Sequence, residues 1–402
     1  MEKQRLLSFI GLTGALAVTL GLALWRPWVG GASVWIWGLA FGFVLQKSRF
    51  CFVASFRDPL VTGSTAVSRA VVLLLAANTL GFSAVQLWLG PVGDIYPAGW
   101  HTLAGGILFG VGMVIAGGCA SGTLMRMGEG HLLQWFTLLG FVAGSLVGAF
   151  TYGWWQAASM IKSPEIFLPD YLGWPAALAL QLGLLGVVYY GLTLYERRAL
   201  GVAAGLDAGG ASEPLGAQAD TRPPLWSRVT RRLLQVLVVP WPYWAGAIAL
   251  AVLNTTFLAL HGYSWGITTA FTYWGAWLGQ AFGAHPEAWY FFSLPGPKTG
   301  LVAGIGHDPR TLLDLGMIWG AFLSAALASE WRWRRPKMGR QALAALVGGV
   351  AMGYGSRIAF GCNIGAFLNG ISSLSLHGWL FGLALLVGAW MGSQILLRYL
   401  VK

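Results

Sequence analysis

Of 402 residues, 56% are hydrophobic and only 10% charged, with a mean hydropathy of +0.64. Such a chain cannot hide its apolar surface inside a water-soluble globule, and it reads as an all-α, polytopic membrane protein. The net charge of +11 does not mark a nucleic-acid partner, because the basic residues fall in loops between hydrophobic runs, where positive-inside bias accounts for them. Three scattered cysteines make neither a disulfide framework nor a zinc grouping, so free thiols are expected and no metal or cofactor is implied.

Lys3 and Arg5 favour a cytoplasmic start, and Leu7 to Trp25 reads as a first span rather than a cleaved signal peptide. A second span, Ala32 to Gln46, returns to the basic turn KSRFCFVASFRD, which holds Lys47, Arg49, Cys51, Arg57 and Asp58. The third, Ala66 to Leu89, leads to GPVGDIYPAGWH, a loop without Lys or Arg that is expected outside. Next comes Gly105 to Leu124, GGILFGVGMVIAGGCASGTL, in which Gly117-Gly118 should break the helix before Cys119. A short helix is expected from Ala120 to the cluster Arg126, Glu129 and His131, followed by spans at Leu132 to Tyr152 and Pro175 to Leu194.

Glu196 to Arg232 reads as a cytoplasmic polar linker, with Arg197, Arg198, Arg222, Arg228, Arg231 and Arg232 at its edges. It divides a first membrane repeat, 1–195, from a second, 233–402. In the second half, spans are expected at Leu233 to Leu253, Leu312 to Ser329 and Trp379 to Leu397. Trp265-Gly266 is similar to Trp37-Gly38, and His307-Asp308-Pro309 to Arg57-Asp58-Pro59. The span count closes only if a segment between Trp265 and Thr299 is re-entrant or broken.

Gly348 to Phe367, GGVAMGYGSRIAFGCNIGAF, matches the first glycine-rich stretch without gaps at nine of twenty positions, Cys119 falling on Cys362. The first copy follows the external loop and the second follows the basic EWRWRRPKMGR, which gives them opposite directions: an inverted repeat. In such repeats broken or re-entrant helices bring polar groups near the bilayer midplane. Gly118 and Gly361 adjoin the cysteines, and backbone N–H groups near Ser121, Gly122, Asn363 and Gly365 make a weak anion site. A cysteine adds a soft S–H donor or, deprotonated, a nucleophile. Arg357 either supplies positive potential to an anion path or satisfies itself by snorkelling or on carbonyls. Cys51 is as readily a packing residue as a functional one.

At SRFCFVASFRD, GGILFGVGMVIAGGCASG and GSRIAFGCNIGAF followed by SLHGW, the chain resembles the YeeE/YedE family of bacterial inner-membrane proteins. HPEAWYFF and the long second half look most like the YedE branch, named as a selenium transporter. The resemblance implies uptake of thiosulfate, in the YeeE branch, by a relay of thiols that would here be Cys119, Cys51 and Cys362. It also implies a cytosolic sulfur-carrier partner of the TusA type. A selenium compound as cargo and a membrane sulfurtransferase, which passes sulfur to a soluble carrier, are the alternatives. No histidine stands near a cysteine in the sequence to serve the latter as a general base.

Overall fold

A computed structural model describes residues 2–24, 29–90, 92–203, 238–336 and 339–400. Among these, helices carry the fold, and β-structure is confined to three isolated bridges. The first half comprises α1 (Glu2–Leu24), α2 (Val29–Lys47), α3 (Phe52–Val61), α4 (Ala66–Leu89), α5 (Trp100–Ala116), α6 (Ala120–Gly128), α7 (Leu133–Phe150) and α8 (Trp174–Ala203). The second comprises α9 (Tyr243–His261), α10 (Thr268–Ala281), α11 (Pro309–Leu327), α12 (Gly339–Ile358) and α13 (Leu376–Ile395). Nine helical segments of the described residues are long and apolar enough to cross a bilayer; counting α12 with the bent segment after it gives ten. The chain is a multi-pass membrane protein.

Most expected spans lie where hydropathy placed them, α4 at the expected bounds. The span expected at Leu233 to Leu253 instead begins at Tyr243 and runs to His261. Pro240 and Pro242 supply no backbone N–H, so a helix starts after them more readily than it continues through them. Residues 204–237, with Arg222, Arg228, Arg231 and Arg232 of the expected linker, lie outside the described residues. α8 itself runs on through Arg197 and Arg198, and Glu196 is tied to Arg69 at 2.5 Å and to the Thr65 N–H at 3.1 Å. The segment between Trp265 and Thr299 is short and interrupted: α10 has 14 residues, about 21 Å of helix against the ~30 Å of a hydrocarbon core.

Glycine decides how closely the central helices approach. A methyl group on Gly105 would lie 2.5 Å from the Gly355 carbonyl oxygen, and one on Gly355 would lie 2.5 Å from that of Gly105. Gly112 and Gly348 repeat the relation at 2.5 and 2.6 Å. α5 and α12 therefore pack backbone to backbone and antiparallel, an approach that lipid-embedded helices achieve through small residues. Next to this pair, Gly106 and Gly110 of α5 seat Ala384 and Leu385 of α13, and Gly140 of α7 seats Leu346 of α12. Aromatic rings fill the remaining core; Phe41 stacks on Trp265 at 4.1 Å and Phe141 meets Phe271 edge-on at 5.0 Å.

Candidate functional site

The helix break expected before Cys119 is present. α5 ends on Gly117 in the left-handed region, φ +67°, and Cys119, in extended conformation, opens α6. Arg126 closes the break by donating to the Gly117 carbonyl at 2.6 Å. Gly118 leaves no room for a side chain beside Gln134 Oε1, which would stand 2.8 Å from its Cβ. Cys119 Sγ lies 3.4 Å from Ser121 Oγ. Gly122 faces two sulfurs: a methyl there would touch Cys119 Sγ at 3.6 Å and Cys51 Sγ at 3.9 Å.

The second break is sharper. α12 ends at Ile358, Phe360 adopts φ +60°, and the next segment, Asn363–Asn369 wound as a π-helix, leaves at 45°. Cys362 Sγ accepts the Ile364 N–H at 3.5 Å, so the thiol itself caps one of the N–H groups that the sequence offered to an anion. Gly361 is confined by the Ala366 nitrogen, whereas Gly365 is open. Asn363 donates to Met113 Sδ at 3.5 Å, and its buried Oδ1 has no partner among the described residues.

Two polar cavities at different ends of the bundle each take in one of the thiols. The larger, about 530 Å³, is lined by Cys51 together with Arg49, Arg126, Arg332 and Arg334 against Glu129 and Glu330. The smaller, about 170 Å³, is lined by Cys362, Gly361 and Gly365 with Asp94, Tyr96, Tyr263, Ser264 and Arg310. α11 measures the separation: Arg310 in its first turn lines one cavity, and Ser329 and Glu330 just past its end line the other. Its 19 residues span roughly 28 Å, close to a hydrocarbon thickness. Cys119, 1% exposed, lines neither cavity; its sulfur and that of Cys51 both border the open face of Gly122.

Arg357 is buried and lines neither cavity. Its Nη1 donates to Thr272 Oγ1 at 3.0 Å, its guanidinium lies 4.8 Å from the Phe291 ring centre, and its Nε has no partner among the described residues. The guanidinium that lines the smaller cavity is Arg310, whose one side-chain hydrogen bond among the described residues goes to the Tyr273 hydroxyl at 3.4 Å. Asp94 faces the same cavity. Its carboxylate accepts from Tyr96 at 3.0 Å and from Ser264, while its N–H donates to Ser373. Burial pushes the Asp94 carboxyl above the ordinary carboxylate range, and the Ser264 and Tyr96 hydroxyls oppose that. Asp308 caps α11 through the Thr311 N–H at 2.8 Å, and burial raises its pKa as well.

Sequence reasoning passed over Asp94 because its loop stood out only for lacking basic residues. Arg310 was passed over as well, although a cation at the start of an apolar run is a signal that could have marked it. Asp314, one turn further along α11, is fully buried with both carboxylate oxygens unpartnered among the described residues.

The family described as sulphur transport matches residues 47–391. The chain is 30% identical to the thiosulfate transporter TsuA of Spirochaeta thermophila over 90% of its own length and 97% of that protein's. Against the thiosulfate transporter TsuA of Escherichia coli the identity is 26%, over 90% and 93%. A probable transporter of Escherichia coli, YedE, is 35% identical, but this match covers 39% of the chain and 38% of that relative's length. With its glycine-packed helices and three motif cysteines inside the matched region, the chain belongs to the sulphur transport family, YeeE/YedE.

Proposed function

We propose that this protein takes up a sulfur-containing oxyanion, thiosulfate, across the bacterial inner membrane, with Cys51, Cys119 and Cys362 as successive contact points. One observation carries the reading: two polar cavities at opposite ends of α11 are each lined by a cysteine, and the third cysteine is buried, its sulfur beside Gly122 together with that of Cys51. Arginines at both ends draw the anion in, and neutral S–H groups offer it weak donors without trapping it. The family and the end-to-end similarity to proteins named as thiosulfate transporters support the choice of ion. The reading includes an inverted repeat of two membrane halves. It is supported by the reciprocal glycine contacts, since Gly105–Gly355 and Gly348–Gly112 exchange places under the alignment of the two copies. A TusA-like carrier at the arginine-rich mouth belongs to the same reading. A sulfurtransferase reading is weaker, because no His, Asp or Glu hydrogen-bonds to any of the three thiols among the described residues.

Uptake of labelled thiosulfate, selenite, sulfite and sulfate into cells expressing the wild type, Cys51→Ala, Cys119→Ala and Cys362→Ala tests this. Thiosulfate uptake that falls at least tenfold in each variant supports the relay. Uptake unchanged in all three removes it, and preference for selenite replaces the cargo.

A further inference from the structure

The smaller cavity contains a charge arrangement that an anion path does not explain by itself. Among its lining residues Arg310 is the one guanidinium and Asp94 the one carboxylate. A divalent oxyanion drawn in by Arg310 therefore enters a space of about 170 Å³ that it must share with a like charge. The two residues do not neutralise each other: among the described residues no carboxylate stands within 4.0 Å of Arg310.

The surroundings of Asp94 suit two protonation states. Its two oxygens meet the hydroxyls of Tyr96 and Ser264, and a hydroxyl donates to a carboxylate yet accepts from a carboxylic acid. The hydroxyl that accepts from the acid must then turn its own proton toward the cavity that both residues line. The groups facing Asp94 are Tyr96 on its own loop, Tyr263 and Ser264 on the loop before α10, Asn369 and Cys362 after the second break, and Arg310 with Asp308 behind it. His377 of α13 stands beyond Tyr96, with the rings 5.6 Å apart. None of these is a cation in contact with the carboxylate; hydroxyl and amide donors and the more distant Arg310 favour its charged form, and burial opposes them.

We propose that Asp94 is a proton-binding site coupled to the anion: the cavity admits the oxyanion on Arg310 as Asp94 takes a proton from the adjoining water, and the two are released together. The inference rests on the transport reading and adds a driving force to it, because a proton accompanying each anion links uptake to the proton gradient. Burial, which already raises the Asp94 pKa, acts in the required direction.

Calorimetric titration of the purified protein with thiosulfate, in buffers of different ionisation enthalpy, counts the protons taken up on binding. The wild type should gain close to one per anion above the titration of Asp94, and its affinity should weaken up to tenfold per pH unit there. Asp94→Asn, the neutral isostere, should bind with no proton uptake and with an affinity that no longer follows pH. Equal proton uptake by Asp94→Asn and wild type overturns the proposal. So does loss of proton uptake in Asp314→Asn with its retention in Asp94→Asn, which would move the proton to the deeper carboxyl. A wild type that neither binds nor transports thiosulfate overturns the transport reading, and this inference falls with it.

Discussion

Tyr96 stacks on Phe360 with ring centres 4.8 Å apart and planes 5° from parallel. Phe360 is the left-handed residue at the break before Cys362, a conformation that costs a bulky L-residue on the order of 1–3 kcal/mol unless its surroundings hold it. The loop between α4 and α5 thus clamps the second break from outside the helix, aided by edge contacts from His101 and His377. Tyr96→Phe keeps the ring and removes the hydroxyl from Asp94, whereas Tyr96→Ala removes both. The alanine variant should lose about 1–3 kcal/mol of stability and the phenylalanine variant less than about 1. Thermal unfolding in detergent checks this; equal losses would mean that the hydroxyl, not the stack, does the holding.

Gly105 tests the close helix crossing. A methyl group there would stand 2.5 Å from a backbone carbonyl oxygen, an atom that cannot rotate away, so α5 and α12 must separate. Gly105→Ala should therefore cost about 1–3 kcal/mol, and Gly112→Ala the same by the reciprocal contact. A methyl group on Gly183 in α8 would meet nothing within 4 Å, so Gly183→Ala should be neutral or stabilising by up to about 1 kcal/mol. Loss of stability in Gly183→Ala equal to that in Gly105→Ala would show that generic helix effects, not packing, set the result.

Hydropathy made the helices legible because lipid-facing and core helices alike are apolar over a span's length. α4 and the break before Cys119 follow directly, the latter because Gly117 supplies the left-handed turn. The start of α9 was misplaced, since an apolar run on its own does not weigh Pro240 and Pro242 against neighbouring leucines and valines. The cysteines and their adjoining glycines were visible as a repeat. What joins Cys362 to Asp94, Tyr263 and Arg310 was not, because these come from four separate segments and meet only through the packing of the bundle. Arg357, a cation at membrane depth that is conspicuous in the sequence, lines neither cavity: its Nη1 donates to Thr272 and its guanidinium faces Phe291, while Nε has no partner among the described residues.

Arg310 should therefore dominate anion affinity at the smaller cavity. Arg310→Gln removes a guanidinium that has no carboxylate within 4.0 Å among the described residues and should raise the KM for thiosulfate by about tenfold or more. Arg310→Lys restores the charge without the planar fork and should fall between. Initial uptake rates over a range of thiosulfate concentrations read the difference. A larger KM rise in Arg357→Gln than in Arg310→Gln would return the electrostatic role to Arg357.

The Asp94 carboxyl also predicts how stability follows pH. Its folded pKa is raised, so the folded state binds more protons than the unfolded one, and stability must fall as pH rises. The contribution is fully present below the unfolded value of about 4 and is lost as pH climbs through the raised folded value. Asp94→Asn carries no titrating group, so the gap in Tm between it and the wild type should shift in the variant's favour with rising pH and level off below about pH 4. Melting curves taken across that range decide it, and two parallel profiles would show that Asp94 titrates alike in both states.

The most discriminating substitution lies between two thiols. Cys51 and Cys119 approach the same point above Gly122, within 3.9 and 3.6 Å of where a methyl would sit. Those are ordinary van der Waals distances, and Gly122 lies in the first turn of α6. Gly122→Ala should thus leave Tm unchanged or raise it slightly, by up to about 1 kcal/mol of stability. In the proposed relay the same methyl would stand in the anion's way from one sulfur to the next. Thiosulfate uptake should consequently drop at least tenfold in a protein that is no less stable, a combination that general damage to the fold does not produce. Full uptake by stable Gly122→Ala would mean that the ion does not travel between Cys119 and Cys51, and the path would have to leave the buried thiol by another side.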